Sequence, residues 1–222
     1  MTTAARPVLR ARREEDKDER RKALLDAARS LFEEQSYQHV KVADVAARAG
    51  FAKGTVFVYY PTKEALFLAL CEHHLGAWMD ALGAELEQAR GRIGAPRAAK
   101  ILAGSLAAEP TLVRLLALLG SVLEQEADVA RIAAFKTRLV EGLARTGALL
   151  ERKVATLPEG EGAHLLIRTY ALVVGLHSLC EPSSNARRAI DENPHLGALR
   201  FDFEGELESA LRMMLRGLER SD

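Results

Sequence analysis

One run of 25 residues, from Val42 to Leu66, contains two short helical patterns separated by a single glycine. Val42 and the apolar residues at helical spacing after it predict the inner face of the first helix. Gly50 then predicts a tight turn, because a residue without Cβ adopts positive φ without strain. Val56 and Tyr60 would anchor the second helix from inside. Such a pair predicts a helix-turn-helix, in which the first helix braces and the second enters the DNA major groove.

The rest of the chain also predicts helices. Ala, Leu, Glu and Arg dominate, aromatic residues make up only 5%, and alternating β-branched runs are nearly absent. We therefore expect an all-α chain of about nine helices, with Pro96 and Pro110 in the first turns of two of them. The expected order is a flexible basic and acidic tail (1–17), a three-helix head (18–66) and a larger helical body (67–222). The turn formers and charges of residues 181–200 predict a long loop.

Composition narrows the class of protein. A hydrophobic content of 48% supports a packed core. The two cysteines, Cys71 and Cys180, lie far apart, which favours a reducing compartment over a disulfide framework. The charged N-terminus contains no apolar run, and the longest apolar stretch is interrupted by His164, Arg168 and His177. We therefore expect a cytoplasmic protein with neither a secretory signal nor a membrane span.

The net charge of zero hides a mild asymmetry. Residues 1–64 contain 13 Lys+Arg and 10 Asp+Glu, whereas the remainder contains 18 and 21. A basic head on an acidic body fits DNA binding, although the difference is too small to establish it alone.

The helix-turn-helix stretch resembles the DNA-binding signature of the tetracycline-repressor (TetR/AcrR) family. One spacing without a gap fits Val45-Ala46, Ala49-Gly50, Gly54-Thr55-Val56, Tyr59, Lys63 and Leu66, and the preceding helix adds Ala27-Ala28 and Leu31-Phe32. Four positions depart from the pattern: Lys41, Phe51, Ala52 and Phe57. Ala52 replaces a serine N-cap, a loss of about 1 kcal/mol. Phe57 lacks the hydroxyl of the usual tyrosine.

This resemblance implies a dimeric transcriptional regulator that binds a double-stranded DNA operator. The expected DNA contacts are Lys41, Lys53, Gly54, Thr55, Phe57, Tyr59 and Lys63. Lys63 would clamp a phosphate at a helix N-terminus, and Gly54 would let the backbone approach the duplex closely. Lys41 and Lys53 would add phosphate affinity as cations.

The resemblance also implies roles for the body. Its last two helices would form the homodimer interface, through Leu166, Val173, Leu207, Leu211, Met214, Leu215 and Leu218, with an ordinary core as the alternative. Its middle helices would enclose a mainly apolar pocket for an unknown small molecule, lined by Trp78, Met79, Leu102, Leu106, Leu116, Leu119, Phe135 and Leu139, with core packing as the alternative for each. The family's habit implies a repressor released by that ligand, without a cofactor.

Two other interpretations stay open. A dimeric helical scaffold that has lost DNA binding would explain the missing serine at position 52 and tyrosine at position 57. A metal-dependent enzyme would use Cys71 with His74, or Cys180 with His177, since each pair is three residues apart. Standard zinc spacing and known catalytic motifs are absent, so we predict no metal ligand and no catalytic residue.

Overall fold

The computed structural model describes residues 5–218, with side chains described from residue 15 onward. Eleven α-helices follow one another: α1 (Ala5–Glu34), α2 (Val42–Arg48), α3 (Lys53–Tyr59), α4 (Lys63–Gln88), α5 (Ala95–Ala107), α6 (Pro110–Leu118), α7 (Glu124–Glu126), α8 (Val129–Lys153), α9 (Glu161–Cys180), α10 (Ser184–Glu192) and α11 (Phe203–Leu218). A π-helical turn (Leu119–Leu123) joins α6 to α7. Residues 5–218 contain no strand beyond one bridge between Ile93 and Val154. The predicted all-α class is confirmed.

The sequence signals at helix ends act as expected. Thr62 caps α4, because its Oγ1 accepts a hydrogen bond at 3.0 Å from the backbone N–H three residues later. Pro96 and Pro110 lie in the first turns of α5 and α6, where a proline removes no helical hydrogen bond. Asp128 caps α8 in the same way as Thr62.

The first helix is longer than predicted. It begins at Ala5, so residues 5–17, predicted as a flexible tail, are helical, and residues 1–4 lie outside the described part of the chain. Most residues of this segment are Ala, Leu, Arg and Glu, which are good helix formers. The proline in its first turn is compatible with the helix, because its missing N–H would have no intrahelical partner there.

The loop predicted over 181–200 is also wrong, since it contains α10 and a 3₁₀-helix (Pro194–Leu199). Ser183 caps α10 by accepting a hydrogen bond from a backbone N–H at 3.3 Å. Three exposed ion pairs accompany the segment: Arg187–Glu181, Arg188–Glu192 and Arg200–Asp191. The prolines and serines that indicated a loop instead mark the ends of these two short helices.

Helix α4 joins the head to the body. Its first turns pack against α1, and its later turns contact α5, α6 and α8. The buried apolar residues of the head and the body form one continuous cluster. Because α4 runs unbroken across residues 66 and 67, a movement of its body half is transmitted directly to the head.

The last helix packs differently from the expectation. Helix α11 lies against α5 and α9 of its own chain. Five of the seven predicted dimer residues are at most 4% exposed within the single chain: Leu166, Val173, Leu207, Leu211 and Leu215. These side chains belong to the protomer's core and are therefore inaccessible to a second copy. Met214 and Leu218 are half-buried against the same core.

Helix α9 meets the length and composition requirements of a membrane span, with a mean hydropathy of 1.3 over its most apolar window. The pair formed by α5 and the segment Pro110–Glu126 meets them together, but its two parts meet at 84°. Helix α9 also packs against α6, α8 and α11. Contacts within the chain bury only 22% of this window, so most of the helix remains open to solvent or to another partner.

Candidate nucleic-acid interface and effector cavity

Helices α2 and α3 meet at a tight turn. Gly50 adopts a φ of 74°, the left-handed region that favours glycine. The N–H of Phe51 donates to the carbonyl of Ala46 at 2.8 Å and closes the turn. Val56 and Tyr60 face inward, with at most 6% of their surface exposed. This geometry confirms the predicted helix-turn-helix.

The predicted DNA contacts differ in exposure. Lys41, Lys53 and Gly54 are exposed, whereas Thr55, Tyr59 and Lys63 are half-buried. The Phe57 ring is 40% exposed, and the Lys53 Nζ lies 5.8 Å from its centroid. Helix α3 thus presents a cation, a bare backbone segment and an aromatic ring to solvent. As expected, Ala52 supplies no side-chain cap.

Sequence reasoning missed Val58, which follows Phe57 in α3. Its side chain is 80% exposed and places an apolar group on the outer face of α3. The signal was available, because helical spacing places position 58 away from the buried Val56 and Tyr60. An exposed methyl-bearing side chain on a recognition helix suits contact with the methyl group of thymine.

The half-buried Lys63 contacts Tyr37 within the head. Its Nζ donates to the carbonyl of Tyr37 at 2.5 Å and lies 4.0 Å from the centroid of that ring. Burial lowers the pKa of Lys63. The Tyr37 hydroxyl donates to Glu64 at 2.7 Å, and burial, followed by this contact, raises the pKa of Tyr37. An ammonium has three donors, so Lys63 keeps capacity for a phosphate.

A second missed residue braces the helix-turn-helix. Arg48, at the end of α2, donates two hydrogen bonds to the carboxylate of Glu34 at 2.6 and 2.9 Å, and a third to Ser30 at 2.8 Å. The hydrogen bond from Arg48 lowers the pKa of Glu34. The fork geometry fixes the direction of α2 relative to α1.

The body contains an apolar cavity of about 270 Å³. Six of the eight predicted pocket residues line it: Trp78, Met79, Leu106, Leu116, Leu119 and Leu139. The other two, Leu102 and Phe135, do not line it; both are at most 1% exposed and pack in the surrounding core. Leu166 and Val173, predicted at the dimer interface, line this cavity instead. Two charged residues at its edge, Glu124 and Lys136, were not predicted.

A second, more polar cleft of about 650 Å³ lies beside the cavity. It is lined by parts of α5, α6, α9 and α11, including Arg114, His177 and Cys180, and Leu106 borders both spaces. Arg114 also reaches the head: its guanidinium lies 4.0 Å from the ring centroid of Phe32 and donates to the carbonyl of Gln35 at 3.0 Å. Helix α6 therefore touches both the effector cavity and the head.

Aromatic rings continue this contact towards the DNA-binding surface. The rings of Phe32 and Phe67 meet edge to face at 5.4 Å, and those of Phe67 and Tyr37 at 4.9 Å. Since Tyr37 contacts Lys63, packed side chains connect Arg114 with the predicted phosphate clamp.

The proposed metal pairs do not form a site. Among the described side chains, no three His, Cys, Asp or Glu residues lie close enough to hold a metal ion. Burial raises the pKa of the Cys71 thiol to about 12, so the thiol is protonated at neutral pH. The His74 Nδ1 lies 3.9 Å from Glu109, and its Nε2 is buried without a hydrogen-bond partner among the described residues.

Comparison with known proteins covers nearly the whole chain. Residues 24–70 match the family described as bacterial regulatory proteins of the tetR family. Residues 72–222 match the tetracyclin repressor-like C-terminal domain. The regulator EthR of Mycolicibacterium smegmatis is 35% identical over 75 residues, which is 32% of this chain and 35% of that protein. The chain thus aligns with about a third of the length of such curated relatives.

Solved structures show the same fold. A TetR transcriptional regulator from Rhodococcus sp. RHA1 superposes with a TM-score of 0.58 at 18% identity, covering 93% of this chain and 98% of that one. The fatty acid degradation regulator FadR from Bacillus halodurans gives 0.54 at 17% identity, covering 88% and 97%. With a helix-turn-helix head and a helical body each matched by a family of its own, the chain belongs to the TetR family of transcriptional regulators.

Proposed function

We propose that the chain is a dimeric, cytoplasmic repressor that binds a DNA operator through α2 and α3 and releases it when a small, mainly apolar molecule fills the cavity. One observation carries this proposal: α4 and α6 each line the cavity at one end and contact the head at the other. A ligand in the cavity would therefore contact two helices that also contact the head.

The DNA-binding part rests on Gly54. A Cβ at this position would meet no atom within 4 Å, and its φ is not positive. A glycine inside a helix costs about 1 kcal/mol relative to alanine, and nothing within the described chain requires it. Gly76 on α4 has equally open surroundings, but only Gly54 lies on the exposed face of α3 in the helix-turn-helix, where close approach of a DNA backbone would explain a glycine.

The dimer contact is best supplied by the outer faces of the last long helices. Ile167, which also borders the cavity, and Met213 are 49% and 65% exposed. Ala171 and Val174 lie at helical spacing from Ile167 on α9. This apolar strip is what a second copy would cover. It replaces the buried leucines first assigned to the interface and keeps the same two helices in that role.

A gel shift against the DNA upstream of the protein's own gene tests the proposal. The wild type should give a specific shift. Gly54→Ala should weaken it by about tenfold, the value of one hydrogen bond to a charged phosphate, while the melting temperature stays level or rises. Gly76→Ala on α4 is the matched control, since its Cβ would also meet open space. No shift of this DNA, or of random duplex at low salt, would favour the scaffold that has lost DNA binding.

Analytical ultracentrifugation of Ala171→Arg tests the dimer, and the gel shift tests its operator affinity. The substitution places a charge in the middle of the apolar strip, so the protein should become monomeric and lose operator affinity. Ala144→Arg, on the exposed side of α8, is the control and should remain dimeric. A monomeric control with a dimeric Ala171→Arg would move the interface to α8.

A further inference from the structure

The cavity is apolar except at one edge. Lys136 on α8 and Glu124 on α7 both line it, and the Lys136 Nζ pairs with the Glu124 Oε1 at 2.5 Å. Their side chains are 45% and 24% exposed, so the pair lies where the cavity opens towards solvent. An ion pair at the mouth of an apolar pocket gives a ligand one charged partner to replace.

Some of the remaining hydrogen-bond donors that line the cavity are already bonded within the chain. The Thr169 hydroxyl donates to the carbonyl of Leu165 at 2.7 Å, and the Trp78 Nε1 donates to Ser105 at 3.1 Å. Tyr170 lines the cavity, and its hydroxyl lies beside the π-helical turn, 3.8 Å from a Cβ placed on Gly120. Burial, followed by the charge of Glu124, raises its pKa. Lys136 and Tyr170 therefore offer donors, and Glu124 offers the acceptor.

We propose that the effector is an amphipathic monocarboxylate, whose apolar part fills the cavity and whose carboxylate takes the place of Glu124 beside Lys136. Two donors then serve the ligand, with Tyr170 as the second. A cationic ligand would have Glu124 alone and would leave the Lys136 ammonium without its partner. The proposal deepens the proposed function, because it names the chemical class of that effector.

The position of Glu124 adds a consequence for the fold. It begins the three-residue helix α7, immediately after the π-helical turn that ends α6. Such π-helical turns are rare and frequently occur at functional sites. A Cβ at Gly120 in this turn would lie 3.8 Å from the Tyr170 hydroxyl. Displacing Glu124 thus acts on the segment that continues from α6, the helix that reaches the head.

Trp78 makes the test direct. It is the only tryptophan of the chain and lines the cavity, so its fluorescence reports occupancy without DNA. We would titrate the full-length protein with octanoate, octan-1-ol and octylamine, three probes that share a chain and differ in head group. Octanoate should bind about tenfold more tightly than the alcohol, the value of one hydrogen bond to a charged group, and octylamine should bind most weakly.

Two variants assign that preference to the pair. Lys136→Met should weaken octanoate by about tenfold and leave octan-1-ol unchanged, whereas Glu124→Gln should tighten octanoate by removing its competitor. Lys100→Met, an exposed lysine on α5, is the matched control and should change neither. Circular dichroism confirms that each variant is folded, and a misfolded Lys136→Met would leave Glu124→Gln to decide.

Three results would overturn the proposal: tightest binding of octylamine, unchanged octanoate affinity in folded Lys136→Met, or no response of Trp78 to any probe. The proposed function fails separately. If octanoate binds with the expected selectivity but the operator gel shift does not respond to it, the ligand class stands and release of DNA by that ligand is wrong.

Discussion

Helices α4 and α6 both run from the cavity to the head, but they are held differently. Helix α4 is tied to α8 by four ion pairs along its length: Glu72–Arg138, Asp80–Arg145 at 2.8 Å, Glu87–Arg152 at 3.5 Å and Glu87–Lys153 at 3.6 Å. Their spacing of seven or eight residues repeats about every two turns. Helix α8 is in turn pressed against α9, where Gly147 and Gly162 bring the two backbones together.

Among the described residues, helix α6 has only one charged contact with that unit, between its N-cap Glu109 and His74 of α4 at 3.9 Å. Its buried leucines pack between α4 and α9, while Thr111 and Arg114 make its polar contacts with α1. The helix ends in the π-helical turn that leads to Glu124. Apolar contacts are non-directional, so they allow a helix to shift along its neighbours more easily than hydrogen bonds or ion pairs do.

The difference indicates which helix carries the signal. We propose that helices α4, α8 and α9 form a wall that keeps its shape, and that α6 is the side of the cavity that a ligand displaces. A ligand shifts the head only as far as it binds one arrangement better than the other. We therefore expect the contact of Arg114 with the head, rather than a swing of α4 alone, to set the response.

The largest expected effect comes from breaking the wall itself. A Cβ on Gly162 would lie 2.6 Å from the carbonyl carbon of Gly147, and backbone atoms cannot move aside as a flexible side chain can. Gly162→Ala should destabilise the protein by about 3 kcal/mol, which lowers Tm by roughly 6–12 °C at this chain length. Thermal unfolding followed by circular dichroism measures this, with Gly76→Ala as control. A wild-type Tm would mean that α8 and α9 separate freely.

The next largest effect concerns the α6 side. Arg114→Ala removes the guanidinium from Phe32 and from the carbonyl of Gln35. Effector binding, followed by Trp78 fluorescence, should be unchanged. The drop in operator affinity that the effector causes, about 5–150-fold for a typical coupling, should shrink to about threefold or less. Arg97→Ala, an exposed arginine of α5, should keep the full response. If the effector still lowers the operator affinity of Arg114→Ala as much as that of the wild type, the signal passes through α4 instead.

The sequence predicted the head in far more detail than the body. In the head, Gly50, Val56 and Tyr60 lie where the motif requires, because a short turn allows few geometries. In the body, Leu207 and Leu211 are apolar at helical spacing, and this pattern is the same whether the partner is α5 or a second chain. Periodicity identifies a buried face but not what covers it.

The charged contacts show the same limit. Arg48 with Glu34, and Arg138 with Glu72, join positions 14 and 66 residues apart. A single sequence contains no signal for such pairs, because nothing local selects one partner among 31 acidic residues. Glu124 and Lys136, the ion pair at the edge of the cavity, were missed for this reason. Six of the eight predicted cavity residues were found because apolar faces of adjacent helices converge on one interior.

The smallest expected effect is also the sharpest test of the comparison. The triple variant Glu72→Gln, Asp80→Asn and Glu87→Gln removes the ion pairs between α4 and α8 without changing side-chain size. Exposed pairs contribute about 0–1 kcal/mol each, so Tm should fall by a few degrees, and 1 M NaCl should largely remove the difference from wild type, because salt screens exposed charges.

The same triple variant separates the two routes. If α6 carries the signal, effector-induced loss of operator affinity should match the wild type within about twofold, because the wall only needs to stay folded. If α4 swings as an independent lever, freeing it from α8 should enlarge the response well beyond that. Gel shifts at fixed low salt, with and without effector, distinguish these outcomes. Glu85→Gln, at an exposed α4 residue, measures the effect of removing one negative charge, of which the triple variant removes three, since every phosphate contact responds to charge.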